Sequence, residues 1–323
     1  MTGLLSALLL ASAPQSSIIL MHIITPTSNP SSEQQSIFAQ GASYLINEDE
    51  CQIGVWTKNT PEYAGALAVT IGACSLSGSS AVSFLKRCVS QIRAEHPGRT
   101  IIGPMNGNTW MKHRLILQTS DHKPFRMEPI EPIELLETFQ SAGFHILSRY
   151  SSSKINLTEE PRNFTKLNRL VAKKGITIRT VSMDHFEQDL EAIYELSIHA
   201  FADNFLYTPL AREVFMHAYT KSKALIDPEL VLLAYRNDCL IGFVFCMPDE
   251  MPNTLIVKTL ATCPKERTAG LGTLLVAHAQ QAARDKGYTQ AIHALQYESN
   301  SSLRISQRFK AEKFRTYGLM SIS

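Results

Sequence analysis

From Ile176 onward, apolar positions switch between the two-residue period of strands and the three-to-four-residue period of helices. Ile176–Val181 alternates as a strand. Over 184–204, Leu190, Ile193, Tyr194, Ile198 and Phe201 recur at helical spacing with Asp184 placed as a cap, and Glu213–Leu225 predicts a second helix. Leu230–Arg236 and Cys239–Met247, separated by Asn237-Asp238, predict an antiparallel hairpin on a polar turn. A strand over Leu255–Thr262 follows, then a glycine-containing turn and a helix through Lys286 stopped by Gly287. Next come a strand over Gln290–Leu295, a helix over Leu303–Phe309 and a strand near Thr316–Ile322. This order describes an α/β fold with a mixed sheet.

At 323 residues the chain is twice the ~150 expected of one domain, so the first half is tested for the same order. Sliding the chain by 189 positions brings Cys74 onto Cys263 and Gly98 onto Gly287, and pairs Thr70 with Thr259 and Leu85 with Leu274. Under that register Ala66–Ala73 is a strand, Ala81–Ala94 a helix and Arg99–Pro104 a strand, and Ile133–Tyr150 is a closing helix, Gly143-Phe144 and strand. The reading is an internal duplication; the alternative is one such domain behind an unrelated one. The boundaries are a domain over 33–150, a linker over 151–174 marked by Ser151-Ser152-Ser153 and Pro161, and a domain over 175–323.

Residues 1–32 are read as a disordered leader or a misplaced start, with Met21 as the alternative initiator. The apolar runs Leu4–Ala13 and Ile18–Ile24 are shorter than the ~20 residues that cross a bilayer, so no membrane partner is expected. A composition 44% hydrophobic and 19% charged is globular, and a net charge of +2 lacks the basic footprint of a nucleic-acid binder. Six scattered cysteines form no zinc-ligand spacing and no disulfide framework, which points to a reducing, cytoplasmic setting without a metal.

The segment Leu260-Ala261-Thr262-Cys263-Pro264-Lys265-Glu266-Arg267-Thr268-Ala269-Gly270-Leu271-Gly272 joins a strand to a helix. An arginine followed by two glycines at a helix entrance lets backbone N–H groups and the helix dipole meet an anion such as a diphosphate. The longer run Leu-Ala-x-x-Pro-x-x-Arg-x-x-Gly-x-Gly resembles the acetyl-CoA motif of the GCN5-related N-acetyltransferase (GNAT) superfamily, and the elements around it agree over about 175–323. The resemblance implies a V-shaped opening between the strands ending near Thr262 and Tyr297. It implies acetyl-CoA as donor, with Leu260 and Thr262 along the acyl and pantetheine arm. Arg267, Thr268, Ala269, Gly270, Leu271, Gly272 and Thr273 would surround the diphosphate, and Asn300 would touch the cofactor. The first half carries Gly78, Ala81 and Ser83 where Arg267, Gly270 and Gly272 stand, so it is expected to bind acetyl-CoA poorly or not at all.

Acetyl transfer to an amine needs a proton acceptor and an acid for the leaving thiolate. Glu298 is the candidate base. The tyrosine that many members carry in the last helix is Gln307 here, which leaves Tyr317 as the candidate acid and Tyr297 as its alternative. The function expected is N-acetyl transfer from acetyl-CoA to a primary amine, on a small molecule or a protein; the alternative is a catalytically silent acyl-CoA-binding module. The turn before Trp110 is placed to line a cleft between halves.

Overall fold

The computed structural model describes residues 21–120, 123–266, 268–300 and 302–323. Expectations for residues 1–20 lie outside these. From Met21 on, the expected leader is built into the fold: His22–Ile24 is an edge strand paired with Leu45–Asn47, and Ser31 caps the Ser32–Ala39 helix. Two consecutive isoleucines favour the extended conformation there.

Among the described residues, thirteen strands form one mixed sheet. From one edge it reads His22–Ile24, Tyr44–Glu48, Cys51–Trp56, Val69–Ser75 and Ile101–Gly103. From the other edge it reads Ile176–Thr180, Val231–Arg236, Cys239–Pro248, Thr254–Thr262 and Gln290–Tyr297. The two series match in order, and in each the fourth and fifth strands are the parallel pair. A fifteen-residue helix crosses between those parallel strands in both halves, Ala81–Glu95 and Leu271–Asp285. Phe84, Leu85, Cys88, Val89 and Ile92 bury one face of the first, and Leu271, Leu274, Leu275, Ala279 and Ala283 one face of the second. Both run out to a glycine in the left-handed region, Gly98 (φ +77°) and Gly287 (φ +85°).

The halves exchange their closing strands. Glu312–Ile322 pairs with Ile101–Gly103 of the first half, and His145–Asn156 pairs with Gln290–Tyr297 of the second. These two long strands then pair with each other at the centre of the sheet. The expected linker is therefore corrected: 151–156 lies in the central strand, and Thr165–Lys173 is a helix. Ser151, Ser152 and Ser153 are buried, with the Ser152 hydroxyl accepting from the Leu295 N–H at 3.1 Å and bonded to Tyr317. A serine run looks polar in sequence, yet the Ser152 hydroxyl is tolerated inside the sheet because neighbouring strands supply its partners, while the Ser151 hydroxyl is buried with no partner among the described residues. Asp184 is also corrected. The helix runs Phe186–Ala200 with His185 at its cap position and no side-chain cap bond.

Candidate functional site

In the second half, the parallel strands pair only from Thr254↔Gln290 to Val257↔His293 and then separate. Two irregularities sit where they part. The register of the Thr254–Thr262 strand against Cys239–Pro248 slips between Val257 and Thr259, which leaves Lys258 as the extra residue of a bulge. Across the gap, Leu295 stands at φ +54° in a similar break against His145–Asn156. A cavity of about 660 Å³ occupies the opening. Val276, Ile305, Ser302 and Asn300 line it on the side of the motif helix, and Trp110 to Arg114 of the first half close the other side.

The motif residues line up along one flank. Leu260 and Asn300 line the cavity, and Asn300 donates its backbone N–H to the Tyr297 carbonyl at 2.9 Å. Gly270, at φ +88°, takes the cap position of the Leu271–Asp285 helix, and no side chain caps that helix. A Cβ at Gly272 would lie 3.2 Å from Ile305 Cδ1 and 3.4 Å from Leu260 Cδ2, so glycine keeps the space beside the strand open. Thr262 flanks the same position. Thr268 accepts the Leu271 N–H, and Ala269 completes the turn. Leu271 and Thr273 have buried side chains, so they offer only backbone to a ligand. Arg267 lies outside the described residues. The Thr165–Lys173 helix sets Leu167 against Gly270.

Both candidate catalytic side chains stand apart from the cavity lining. Glu298 points to Lys313, 3.3 Å away. Tyr317 is fully buried, donating its hydroxyl hydrogen to Glu128, and burial together with that carboxylate pushes its ionisation up. Its place in the central strand, which sequence periodicity does not reveal, makes it a core residue. Tyr297, the alternative, does line the cavity, stacked on Phe205 with ring centroids 5.5 Å apart.

Four residues that the sequence reading passed over stand there instead. Arg114, at φ +76°, lays its guanidinium over the Tyr150 ring, 4.0 Å from the centroid, and donates to the Leu295 carbonyl at 3.2 Å. Its second amino group meets His113 Nε2. His113 Nδ1 lies 2.8 Å from the Met111 carbonyl and so carries the proton, leaving Nε2 to accept. Burial and the Arg114 charge hold this imidazole well below its usual range. Lys258 is pushed down to about 8 by burial and by Arg114. His293, lowered to about 4 by burial, bridges Gln280 and Ser306 and fixes the two helices that flank the opening. A lone lysine inside the apolar run Leu255–Ala261 is the one signal the sequence offers for this group. The cleft expected beside Trp110 is present: its indole N–H donates to the Thr208 carbonyl at 2.8 Å.

Among the described residues, the corresponding gap of the first half is closed. Beyond Thr70↔Ile102 the chain folds back, and the Met105 N–H bonds to the Ile71 carbonyl at 2.7 Å. Asn106 fills the gap, accepting from the Ala73 N–H at 2.8 Å. A Cβ at Gly72 would sit 2.7 Å from the Met105 carbonyl carbon.

A splayed parallel pair beside a glycine-led helix matches known proteins. Residues 190–309 match the model of the Acetyltransferase (GNAT) family. The second half carries a domain of that family. The chain is similar in fold to a GCN5-related N-acetyltransferase from Sphaerobacter thermophilus, at 14% identity and a TM-score of 0.53, covering 91% of this chain and 86% of that one. It is also similar to the GCN5-related glucosamine N-acetyltransferase region of a fungal multi-domain GH3 β-N-acetylglucosaminidase, at 12% identity and a TM-score of 0.55. That match covers 90% of this chain and 34% of the other. Comparison of the sequence with curated proteins gives no match. The GNAT fold is present as two tandem copies, the second with an open cleft and the first with a filled one. No helix among the described residues is long and apolar enough to cross a membrane.

Proposed function

We propose that this GNAT protein transfers an acetyl group from acetyl-CoA to an amine, with the second half holding the donor and the first half walling the acceptor. The observation that carries the reading is the cavity itself, which passes between the separated strands from the Gly272 flank to Trp110 and Arg114. The donor flank fits a pantetheine thioester. Beyond Val257 the Thr254–Thr262 strand leaves backbone groups unpaired toward the cavity, and Gly272 leaves room beside them. Uncapped N–H groups of the Leu271–Asp285 helix, together with Arg267 on its sequence position, suit the diphosphate.

When bound, acetyl-CoA supplies a thioester carbonyl for attack by the amine. The chain's own residues position the amine and exclude water. Glu128 is the one carboxylate among the described lining residues, and both its oxygens are taken, by Tyr317 and Arg315. The rate then comes from orientation of a neutral amine and from backbone donors near the carbonyl oxygen, with the proton leaving through water. With no free carboxylate among the described lining residues, the second reading is a module that binds acyl-CoA without turnover.

Calorimetric titration with acetyl-CoA tests the donor site. Wild type is expected to bind in the micromolar range, and Arg267→Glu and Gly272→Val at least tenfold more weakly. Equal affinity in all three overturns it. Amine-dependent release of free thiol separates the enzyme from the silent module.

A further inference from the structure

The charges around the cavity do not balance. Of the described lining residues, Lys112 is paired with Glu131 at 2.9 Å, and Glu128 is paired with Arg315. That leaves Arg114 and Lys258, one from each half, with no carboxylate partner among the described residues. Arg114 is buried, 7% exposed, and its Nε–H is a buried donor with no acceptor. Lys258 makes no hydrogen bond to a described residue, and the bulge turns it toward the opening. Arg114 is near enough for its charge to disfavour the Lys258 ammonium. A buried donor without an acceptor and a second cation on the same cavity are costly, and a single anion relieves both.

We infer that the acceptor carries a carboxylate, held between the guanidinium of Arg114 and the ammonium of Lys258. This rests on the acetyl-transfer reading above. Two cations, each offering a donor to the cavity, match the two oxygens of a carboxylate, whereas a phosphoryl group would bring more acceptors than this wall supplies. The remaining wall, built by Phe186, Phe201, Phe215 and Phe243, suits an apolar body. Because Lys258 stands where the strands part, a carboxylate there places an amine one or two carbons away at the mouth of the donor flank. The acceptor class is thus a free amino acid with an apolar side chain. Its neutral nitrogen attacks the thioester carbon; the C–N bond forms, the C–S bond breaks, and the proton lost by nitrogen ends on the departing thiolate. The products are an N-acetyl amino acid and free coenzyme A.

Matched probes test this: leucine against leucinamide, phenylalanine against phenylalaninamide, and glycine against glycinamide, each titrated calorimetrically into the full chain at pH 7.5. Leucine or phenylalanine is expected to bind at least tenfold more tightly than its amide, and Arg114→Gln is expected to abolish that preference. Lys258→Met is the second variant should Arg114→Gln fail to fold, and it is expected to reduce the preference at least threefold. Equal binding of acid and amide, preference for the amide, no binding of any acid, or a preference that survives in the folded variants each overturns the inference. Acetyl-CoA titration of the wild type is read separately, so a missing donor site does not disguise itself as a missing carboxylate site.

Discussion

Tyr150 and Tyr317 stand opposite each other in the central antiparallel strand pair, each seven residues after the left-handed residue that follows a closing helix, Gly143 and Lys310. They are the same position of the two copies, brought face to face by the strand exchange. Their surroundings differ. Tyr150 turns its ring to the Arg114 guanidinium at the cavity wall, whereas Tyr317 gives its hydroxyl to Glu128.

Tyr317→Phe is therefore expected to act on stability. It leaves a Glu128 oxygen buried without its donor, which costs about 1–3 kcal/mol. Urea unfolding measures the loss, and acetyl transfer by the protein that remains folded stays within about threefold of wild type. A collapse in turnover at unchanged stability would restore Tyr317 as the acid.

Lys258 makes stability depend on pH. Its folded value of about 8 lies below the ordinary 10.5, so between the two the unfolded chain binds more protons and wild-type stability rises with pH. At ~1.4 kcal/mol per unit, burying the charge costs about 3 kcal/mol below pH ~8. Lys258→Met is expected to be more stable than wild type by up to that amount near pH ~7, with the advantage fading toward pH ~10.5. Denaturation at both ends of the range checks it; an advantage of equal size throughout would contradict it.

Acetyl-CoA is expected to bind once per chain. The backbone return at Met105 and the Asn106 side chain already occupy the first half's notch. A calorimetric stoichiometry of two sites would refute this reading. Asn106→Ala, which leaves the Ala73 N–H unpaired, is expected to lower stability by about 1–2 kcal/mol without creating a second site.

Removing 312–323 is expected to unfold both halves. The deletion takes one central strand from between Ile101–Gly103 and His145–Asn156, and with it the Arg315 and Tyr317 partners of Glu128. Loss of dispersed amide proton shifts in both halves would show it. A first half that stays folded would sink the expectation.

Periodicity revealed the helices of the second half because each buries one face, as Leu274 does, and its strands stood out as short apolar runs buried at consecutive positions, as Leu255, Ile256 and Val257 are. The glycine motif was legible for a similar reason: Gly270 and Gly272 stand where backbone conformation and close packing demand them. The exchange of closing strands was not legible, since His145–Asn156 and Glu312–Ile322 look alike whichever half they join. Nor was the cation pair. Arg114 and Lys258 lie far apart in sequence, and apart from the lone place of Lys258 in an apolar run nothing links them until the sheet brings them to one cavity.

The exchanged strand also sets a schedule for biosynthesis. Ile101–Gly103 leaves the ribosome about two hundred residues before the Glu312–Ile322 strand that covers it, on the order of ten to forty seconds at ordinary elongation rates. Through that interval the first half offers an open β-edge to any neighbouring nascent chain. Translation speed and chaperone attendance thereby enter the yield of a protein whose finished sheet hides that edge completely.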